Sequence, residues 1–554
     1  MKSKKIYSIV LVLFLLVGCT SEFEEFKADN DTLTSEDVSA KFFFTNTQIN
    51  LWMPVSWNYL FTRFTYGSAY GGYASFGYKN SWEQPDVVFN LNRSWGADAS
   101  TWNWFSKYYT TLDLFLSAVG RGSDLENPLM EAVGFIMKSS YFAMYTDLWG
   151  DLPFNEVGQE GVLTPKYDRQ MDIYKGVIAE LDNAMATIGD NTVTGDGPQN
   201  LSTHDVLFGG DLQKWKTYAN GLKLRIALRA KGAPGETFAD VAITQALNAS
   251  LPTESIKIVK DIDADFGKIA AYDGDFRQYE GALRLLSRRF INALKNNSDP
   301  RLSAYAEPVP GGDIVMSGYT NSTNKELIDY LLQSFDEDNI PYTSNQVGDD
   351  LILTIEKDKY YMGQEMRFID GMKTFLHKEL FSKHKEIIEG RVTLGEEIDQ
   401  MIMPMSEVYF MQAEAAVLGF GGDANALYRA GIQASFDQWD VSDNGYLASD
   451  IATLSGTKEE MLQQIGFQSW LALYMVDYQG WAVARDFDLN EITKETPNMS
   501  KIFSTQIDLG TKFPQRIKYG PTAYSLNGDN LAAAVALQGP DTNSTQLWFA
   551  QGAK

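Results

Sequence analysis

EVYFMQAEAAVLGFGGDANALYRAGIQASFDQW, residues 407–439, is the stretch on which the fold turns. Val408, Met411, Ala415 and Leu418 recur at three-to-four spacing and mark one face of a helix. Pro404 stands near its start and Gly419 just past its end, the asymmetry expected of helix termini. Gly419-Phe420-Gly421-Gly422-Asp423 then breaks the pattern, and a second helix runs on to Trp439. Ala413, Ala415, Ala416, Ala424, Ala426 and Ala430 are small enough to let two helix axes approach, as an antiparallel tetratricopeptide-like pair requires. The period of roughly 34 residues typical of such repeats does not run cleanly through the chain, so the residues by themselves establish helical pairs and no more.

Other segments carry the same periodicity. Trp215, Tyr218, Ala219, Leu222 and Ile226 share one face. Leu462, Ile465, Leu473 and Tyr474 predict one long helix running towards Asp477. Phe135, Phe142, Tyr145 and Trp149 predict another, stopped before Gly150-Asp151-Leu152-Pro153 because a residue preceding proline avoids helical geometry. Gly232–Ser287 reads as short helices mixed with turns. Val309–Glu365 and the tail after Asp486, rich in Gly, Asn, Asp and Ser, read as ordered loops on a helical base. The expected class is mainly α: about four tetratricopeptide-like helical pairs carrying an irregular, loop-rich lobe with few short strands.

The beginning of the chain says where it goes. Lys2, Lys4 and Lys5 precede an apolar run, Ile6–Val17, too short to span a bilayer comfortably. Leu16-Val17-Gly18-Cys19 has the form of a lipobox, and Cys19 is the sole cysteine. Residues 1–18 read as a lipoprotein signal peptide, with acylation at Cys19; a general secretory signal is the alternative. Residues 19–34, polar and acidic, read as a flexible tether, and 35–554 as a single domain whose first helix starts near Ser35. No later segment is apolar and long enough to cross a membrane as a helix. Losing residues 1–18 moves the formal charge from −25 to −28. That balance repels phosphate backbones and excludes nucleic acid as a partner; without a polybasic patch, anchoring to the outer membrane falls to the lipid.

Tyr141–Phe154 (YFAMYTDLWGDLPF) resembles a signature of the SusD/RagB family, as does Ser406–Ala415 (SEVYFMQAEA). Asp299-Pro300-Arg301 and Tyr478-Gln479-Gly480-Trp481 agree, in the family's order, and the likeness covers the mature chain, nearest the SusD-like branch. The resemblance implies a surface lipoprotein of Bacteroidota, facing the cell exterior as a lid on a SusC-like TonB-dependent outer-membrane transporter. It implies capture of an oligomeric nutrient, an oligosaccharide or in some members a peptide, and no catalysis. Tyr145, Asp147, Trp149, Asp151 and Pro153 read as structural, since Asp and Pro at a helix end are turn chemistry first.

Aromatics make up 13% of the chain, and six of its twelve tryptophans fall between Trp52 and Trp104. In Tyr66–Trp82, tyrosines and tryptophan separated by Gly and Ser form neither a good helix nor an amphipathic strand. A loop of this kind offers flat faces to sugar rings, with Asn80, Asp86 and Arg93 nearby to bond hydroxyls or carboxylates. The candidate ligand contacts are therefore Tyr70, Tyr73, Tyr78, Trp82, Arg93 and Trp95. The competing reading packs the same rings into the N-terminal lobe or against the transporter.

Other chemistries find little support. Asp261-Ile262-Asp263-Ala264-Asp265 hints at a calcium loop, but Phe266 and Tyr272 stand where Gly and Glu belong, so a solvated acidic turn is expected. His204, His377 and His384 form no His-Glu-x-x-His pair. No Gly-x-Ser-x-Gly elbow or phosphate loop appears. No metal and no cofactor is expected. A lipid-anchored glycoside hydrolase would need two carboxylates across a sugar site, which spacing in a sequence does not reveal.

Overall fold

The computed structural model describes residues 39–52, 66–81, 83–87, 89, 96–259, 285–389, 399–476, 478–489, 513–552 and 554. The lipobox, the tether, the helix start near Ser35 and the acidic 261–265 turn lie outside the described residues.

Helices dominate. The opening stretch folds as expected: α9 (Met405–Leu418) ends where Gly419 takes a left-handed φ of 101°, and α10 (Ala424–Gln438) begins on the Asp423 side chain, which accepts from Ala426 N. The two pack side by side. Three further neighbours in sequence pair likewise: α3 (Pro128–Trp149) with α4 (Gln170–Ile188), α5 (Leu212–Ala230) with α6 (Ala239–Leu247), and α11 (Lys458–Ala472) with α12 (Gln479–Asp486). Ahead of them, α1 (Lys41–Trp52) lies on α2 (Ala97–Val119), which packs on α3. These are the four tetratricopeptide-like pairs.

From Tyr218 to Ala230 helix α5 is buried all round, not on one stripe. Trp215, Tyr218, Ala219, Leu222 and Ile226 are buried as expected, and so are Asn220, Lys223 and Arg225 between them. Lys223 reaches Asp182 at 2.6 Å, and Arg225 forks onto Glu407 at 2.7 and 2.6 Å. A helix central to a bundle can keep such residues only if each charge finds an opposite one.

Three expectations change. The helix through Leu462 and Ile465 stops at Ala472, so Leu473 and Tyr474 lie beyond it, and Met475, at φ 67°, turns the chain into α12. The Val309–Glu365 lobe contains a 16-residue helix, α8 (Ser322–Glu337), started by the Asn321 side chain, which accepts from Thr323 N and Asn324 N. Leu327, Ile328, Leu331 and Phe335 form its buried face. The tail after Asp486 contains α13 (Pro521–Gln538), with Pro521 in its first turn and a kink at Asn527.

The strands are few and short. β1 (Ala74–Ser75) pairs antiparallel with β3 (Leu285–Leu286), and β2 (Ile256–Ile258) with β7 (Gln400–Met403). In the lobe, β4 (Gly312–Met316), β6 (Asp350–Ile355) and β5 (Tyr342–Val347) form an antiparallel sheet in that order. Leu351, Leu353 and Ile355 alternate inward from β6 against Ile314 and Met316 of β4, and α8 closes that small core. The segment Arg288–Lys295, α7, joins the lobe to the helical pairs.

Candidate functional site

The aromatic stretch is built as the sequence suggests, without regular structure beyond one helical turn (Gly67–Tyr70) and β1. Its tyrosines, however, point inward. Tyr70, Tyr73 and Tyr78 are 1%, 3% and 3% exposed, so these three rings pack the protein rather than offering a face to a ligand.

Their partners explain why. Tyr73 stacks on Trp470 at 5.1 Å and donates its hydroxyl proton to Trp470 O at 2.7 Å, while Trp470 Nε1 donates to Gly71 O at 2.8 Å. Tyr70 meets Trp481 edge-on at 5.2 Å. A Cβ on Gly480 would lie 1.9 Å from the Tyr73 hydroxyl, so the glycine in Tyr478-Gln479-Gly480-Trp481 is the space that Tyr73 fills. The 470–481 segment and the aromatic stretch are two halves of one contact, joined over a separation of 397 residues.

Beyond Tyr78 the chain turns outward. Asn80, exposed at φ 71°, forms the tip. Lys79 N donates to Leu376 O at 2.8 Å, and Lys373 Nζ donates to Ser81 O at 2.6 Å, so the turn is pinned to the 370–377 segment. Lys79 Nζ lies 3.3 Å from His377 Nε2. Burial, reinforced by Lys79, pushes the His377 imidazole below the usual histidine range, which keeps it a neutral acceptor. Gly77 turns the chain so tightly that a Cβ there would meet Pro85 N at 2.3 Å. Asp86, expected among the outward polar groups, is 4% exposed and faces inward in a single 3-10 turn, Pro85–Val87.

Trp82 itself, with Arg93 and Trp95, lies outside the described residues. Their anchors do not. Ser81 and Glu83, on either side of Trp82, are buried. The segment bearing Arg93 and Trp95 leaves Phe89, packed at 5.0 Å on Phe513, and rejoins at α2, where Asp98 accepts from Tyr66 OH at 2.6 Å. Burial lifts the Asp98 carboxyl to about 6. The described tip thus gathers Lys79, Asn80, Lys373 and His377, groups that bond hydroxyls. His377 and Lys373 arrive from nearly 300 residues away, and no local signal in the sequence announces them.

The signature residues are internal. Tyr145 stacks on Trp149 at 5.5 Å, Trp149 Nε1 donates to Lys518 O at 3.1 Å, and Asp151 Oδ1 accepts from Gln170 N at 2.9 Å. Asp147 Oδ1 accepts from Tyr174 OH at 2.5 Å, and its other oxygen pairs with Arg229 Nη1. Asp147 O accepts from Arg485 Nη1 at 2.7 Å. Burial pulls the Arg485 guanidinium down to about 9 against the attraction of Asp147. Close by, Lys554 Nζ bridges Glu414 at 2.7 Å and Asp486 at 2.9 Å and donates to Leu228 O at 2.7 Å. Fully buried networks of this kind hold elements together and leave no room for a substrate.

Among the described residues no group of three or more His, Cys, Asp or Glu could hold a metal ion, and no helix is long and apolar enough to cross a membrane.

A model of SusD-like proteins, described as "Starch-binding associating with outer membrane", matches residues 34–519. Among solved structures, the fold is similar to a SusD homolog from Bacteroides uniformis (21% identity, 92% of this chain and 99% of that one, TM-score 0.69). It is similar also to a SusD-like protein from Bacteroides thetaiotaomicron (19% identity, 93% and 100%, TM-score 0.68). A third is a chitin-binding SusD homolog from Flavobacterium johnsoniae (21% identity, 92% and 98%, TM-score 0.68). At these identities the likeness is one of fold. No curated protein matches the chain.

Proposed function

The chain belongs to the SusD-like family, and from that premise we propose that it is a cell-surface lipoprotein that binds an oligosaccharide and delivers it to a SusC-like TonB-dependent transporter. The observation that carries this reading is the family match over residues 34–519, in a family described as starch-binding and associating with the outer membrane. In this reading Cys19 carries the lipid, residues 19–34 are the tether and 35–554 form one binding unit. The protein is a binder and not a catalyst.

The ligand site is proposed at the exposed end of the aromatic stretch: Trp82 and Trp95 stack on sugar rings, Arg93 bonds hydroxyls, and the Lys79–Asn80 tip forms the polar margin. The buried tyrosines behind it supply a rigid base, which lowers the ordering cost of binding. Trp82→Ala and Trp95→Ala are each expected to weaken binding by roughly 1–3 kcal/mol, about 5- to 150-fold in Kd, with an unchanged melting temperature. Titration calorimetry against plant, fungal and host oligosaccharides, with mixed peptides alongside, measures this. Unchanged affinity in both variants moves the site elsewhere. Binding of peptides alone replaces the sugar with a peptide nutrient, and turnover of any glycan overturns the non-catalytic reading.

Anchoring has its own test. Cys19→Ala, with a cleavable general secretory signal in place of residues 1–18, is expected to shift the protein from the membrane fraction to the soluble fraction, because the anchoring rests on the lipid. A variant that stays with the membrane removes the lipid from the scheme.

A further inference from the structure

The three-stranded sheet of the lobe has two edges, and among the described residues only one of them is closed. β5 and β6 are joined by the two-residue turn Gly348-Asp349, with Gly348 at φ 64°, and pair without a bulge from Val347↔Asp350 to Tyr342↔Ile355. A turn of that length makes Val347 and Asp350 a hydrogen-bonded pair, and bonded and non-bonded pairs alternate from there. Thr343 and Asn345 therefore bond β6, while Tyr342, Ser344 and Gln346 turn their backbone N–H and C=O groups outward. On β4 the same alternation turns Asp313 and Val315 outward, with Gly311 just before the strand. That edge is met by the chain itself: the His377 ring bonds the Val315 backbone, and Gly311 N donates to Glu379 O at 3.0 Å. The β5 edge has no such partner among the described residues, and Thr343 to Val347 are all exposed.

Open edges are ordinarily blunted by lysine, proline or a bulge. β5, Tyr342-Thr343-Ser344-Asn345-Gln346-Val347, contains none of these and no charge of its own. Charge stands instead at its two ends. At one end the exposed Asp336 carboxylate accepts from Tyr342 OH at 3.4 Å, and at the other the exposed Asp349 lies in the turn. A segment added to this edge meets a neutral row of main-chain donors and acceptors between two carboxylates. A second copy of the chain suits it poorly: paired antiparallel, it brings Asp349 of one copy to Asp336 of the other, on top of a formal charge of −25 for each.

We propose that β5 is a strand-addition site for another protein, one that presents an extended segment with a Lys or Arg at each end of a ~20 Å stretch. Tyr342, Ser344 and Gln346 supply the main-chain bonds, and the two end carboxylates select the charge. The strand is exposed on both faces, so nothing encloses a free peptide; a segment already held extended by its own protein avoids that ordering cost. This surface does not depend on the glycan reading above.

The probe is a cyclic β-hairpin peptide, one strand of which is Lys-Thr-Val-Thr-Val-Lys and the other free of lysine, titrated against the full chain by fluorescence anisotropy. Saturable binding is expected. It should weaken at least tenfold when both lysines become glutamate, and as much when the outward amides of that strand are N-methylated; N-methylation of the opposite strand should change nothing. On the protein, Ser344→Pro removes an open donor and leaves the bonds to β6 in place, and Asp336→Asn/Asp349→Asn removes the end charges. Each is expected to weaken binding at least tenfold, with near-UV circular dichroism verifying that both are folded. If Ser344→Pro does not fold, N-methylation makes the same test from the peptide side. Wild-type affinity for the N-methylated strand overturns the proposal, as does the absence of saturable binding. Equal affinity for the linear hexapeptide assigns the edge to free peptides, and a dimer in sedimentation that Ser344→Pro dissociates assigns it to a second copy; either overturns the choice of partner.

Discussion

Arg301→Ala is expected to lower the folding free energy by about 3–5 kcal/mol, the cost of breaking a buried ion pair from one side. The side chain is wholly buried. Its Nε and Nη2 fork onto the two oxygens of Asp299 at 2.9 and 2.6 Å, Nη2 also donates to Gln468 Oε1 at 2.7 Å, and Nη1 donates to Ser435 Oγ at 3.1 Å. Gln468 belongs to α11 and Ser435 to α10, so one guanidinium ties the lobe's base to the third and fourth helical pairs. Removing it strands the Asp299 carboxylate, which has no access to water. Lysine does not rescue it, because one ammonium cannot span four acceptors set in a planar fork. The double replacement Asp299→Leu/Arg301→Met should cost less than Arg301→Ala alone, since it removes the stranded charge along with its partner. Denaturant midpoints of the three proteins decide the matter; a midpoint for Arg301→Ala equal to that of the wild type refutes the account.

Asp147→Ala comes next in expected size, again about 3–5 kcal/mol. Here the loss leaves cations instead of an anion. Arg229 loses its carboxylate and retains Gln479 Oε1 at 3.1 Å, while Arg485 keeps carbonyl partners, Asp147 O, Gln515 O and Trp481 O at 2.7, 2.9 and 3.2 Å, beside the Trp481 ring at 3.9 Å. Two guanidiniums would then face each other in a water-poor interior. Asp147→Asn keeps the volume and one hydrogen bond but not the charge, and should fall almost as far. In a cycle of Asp147→Asn with Arg229→Met, the double variant should be less destabilised than the sum of the singles by more than about 1 kcal/mol, as expected for residues in one network. Strict additivity would show that the two do not share one.

These networks also mark the boundary of what could be read in advance. The 407–439 helical pair was legible because its caps, apolar stripe and small contact residues are all local. Helix α8 was legible in principle: Asn321 caps it and Leu327, Ile328, Leu331 and Phe335 mark its face, but the surrounding Gly, Asn, Asp and Ser obscured them. Helix α13 hid because its interior bends at Asn527 and its outer face is nearly uncharged. The end of α11 was misplaced because Leu473 and Tyr474 continue the helical spacing in sequence while Met475 breaks it in space. For the aromatic stretch, composition predicted an irregular loop correctly and was silent on direction. Whether Tyr73 faces water or Trp470 depends on a glycine some 400 residues away, and no local pattern encodes that. The partners of Arg301 and Asp147 are hidden for the same reason.

The bond between Asp147 O and Arg485 spans 338 residues, and that between Lys554 and Leu228 O spans 326. For a chain that emerges N-terminus first, this separation sets an order of events. Helices α3 and α5 carry one ion pair between them, Asp147 with Arg229, but the Arg485 and Lys554 side chains that bond their backbone carbonyls are made long afterwards. High contact order slows closure, and half-finished helical pairs are sticky. A chain wired in this way can complete these contacts only after its last residues are made, so any process that holds a chain unfolded until then favours their correct closure.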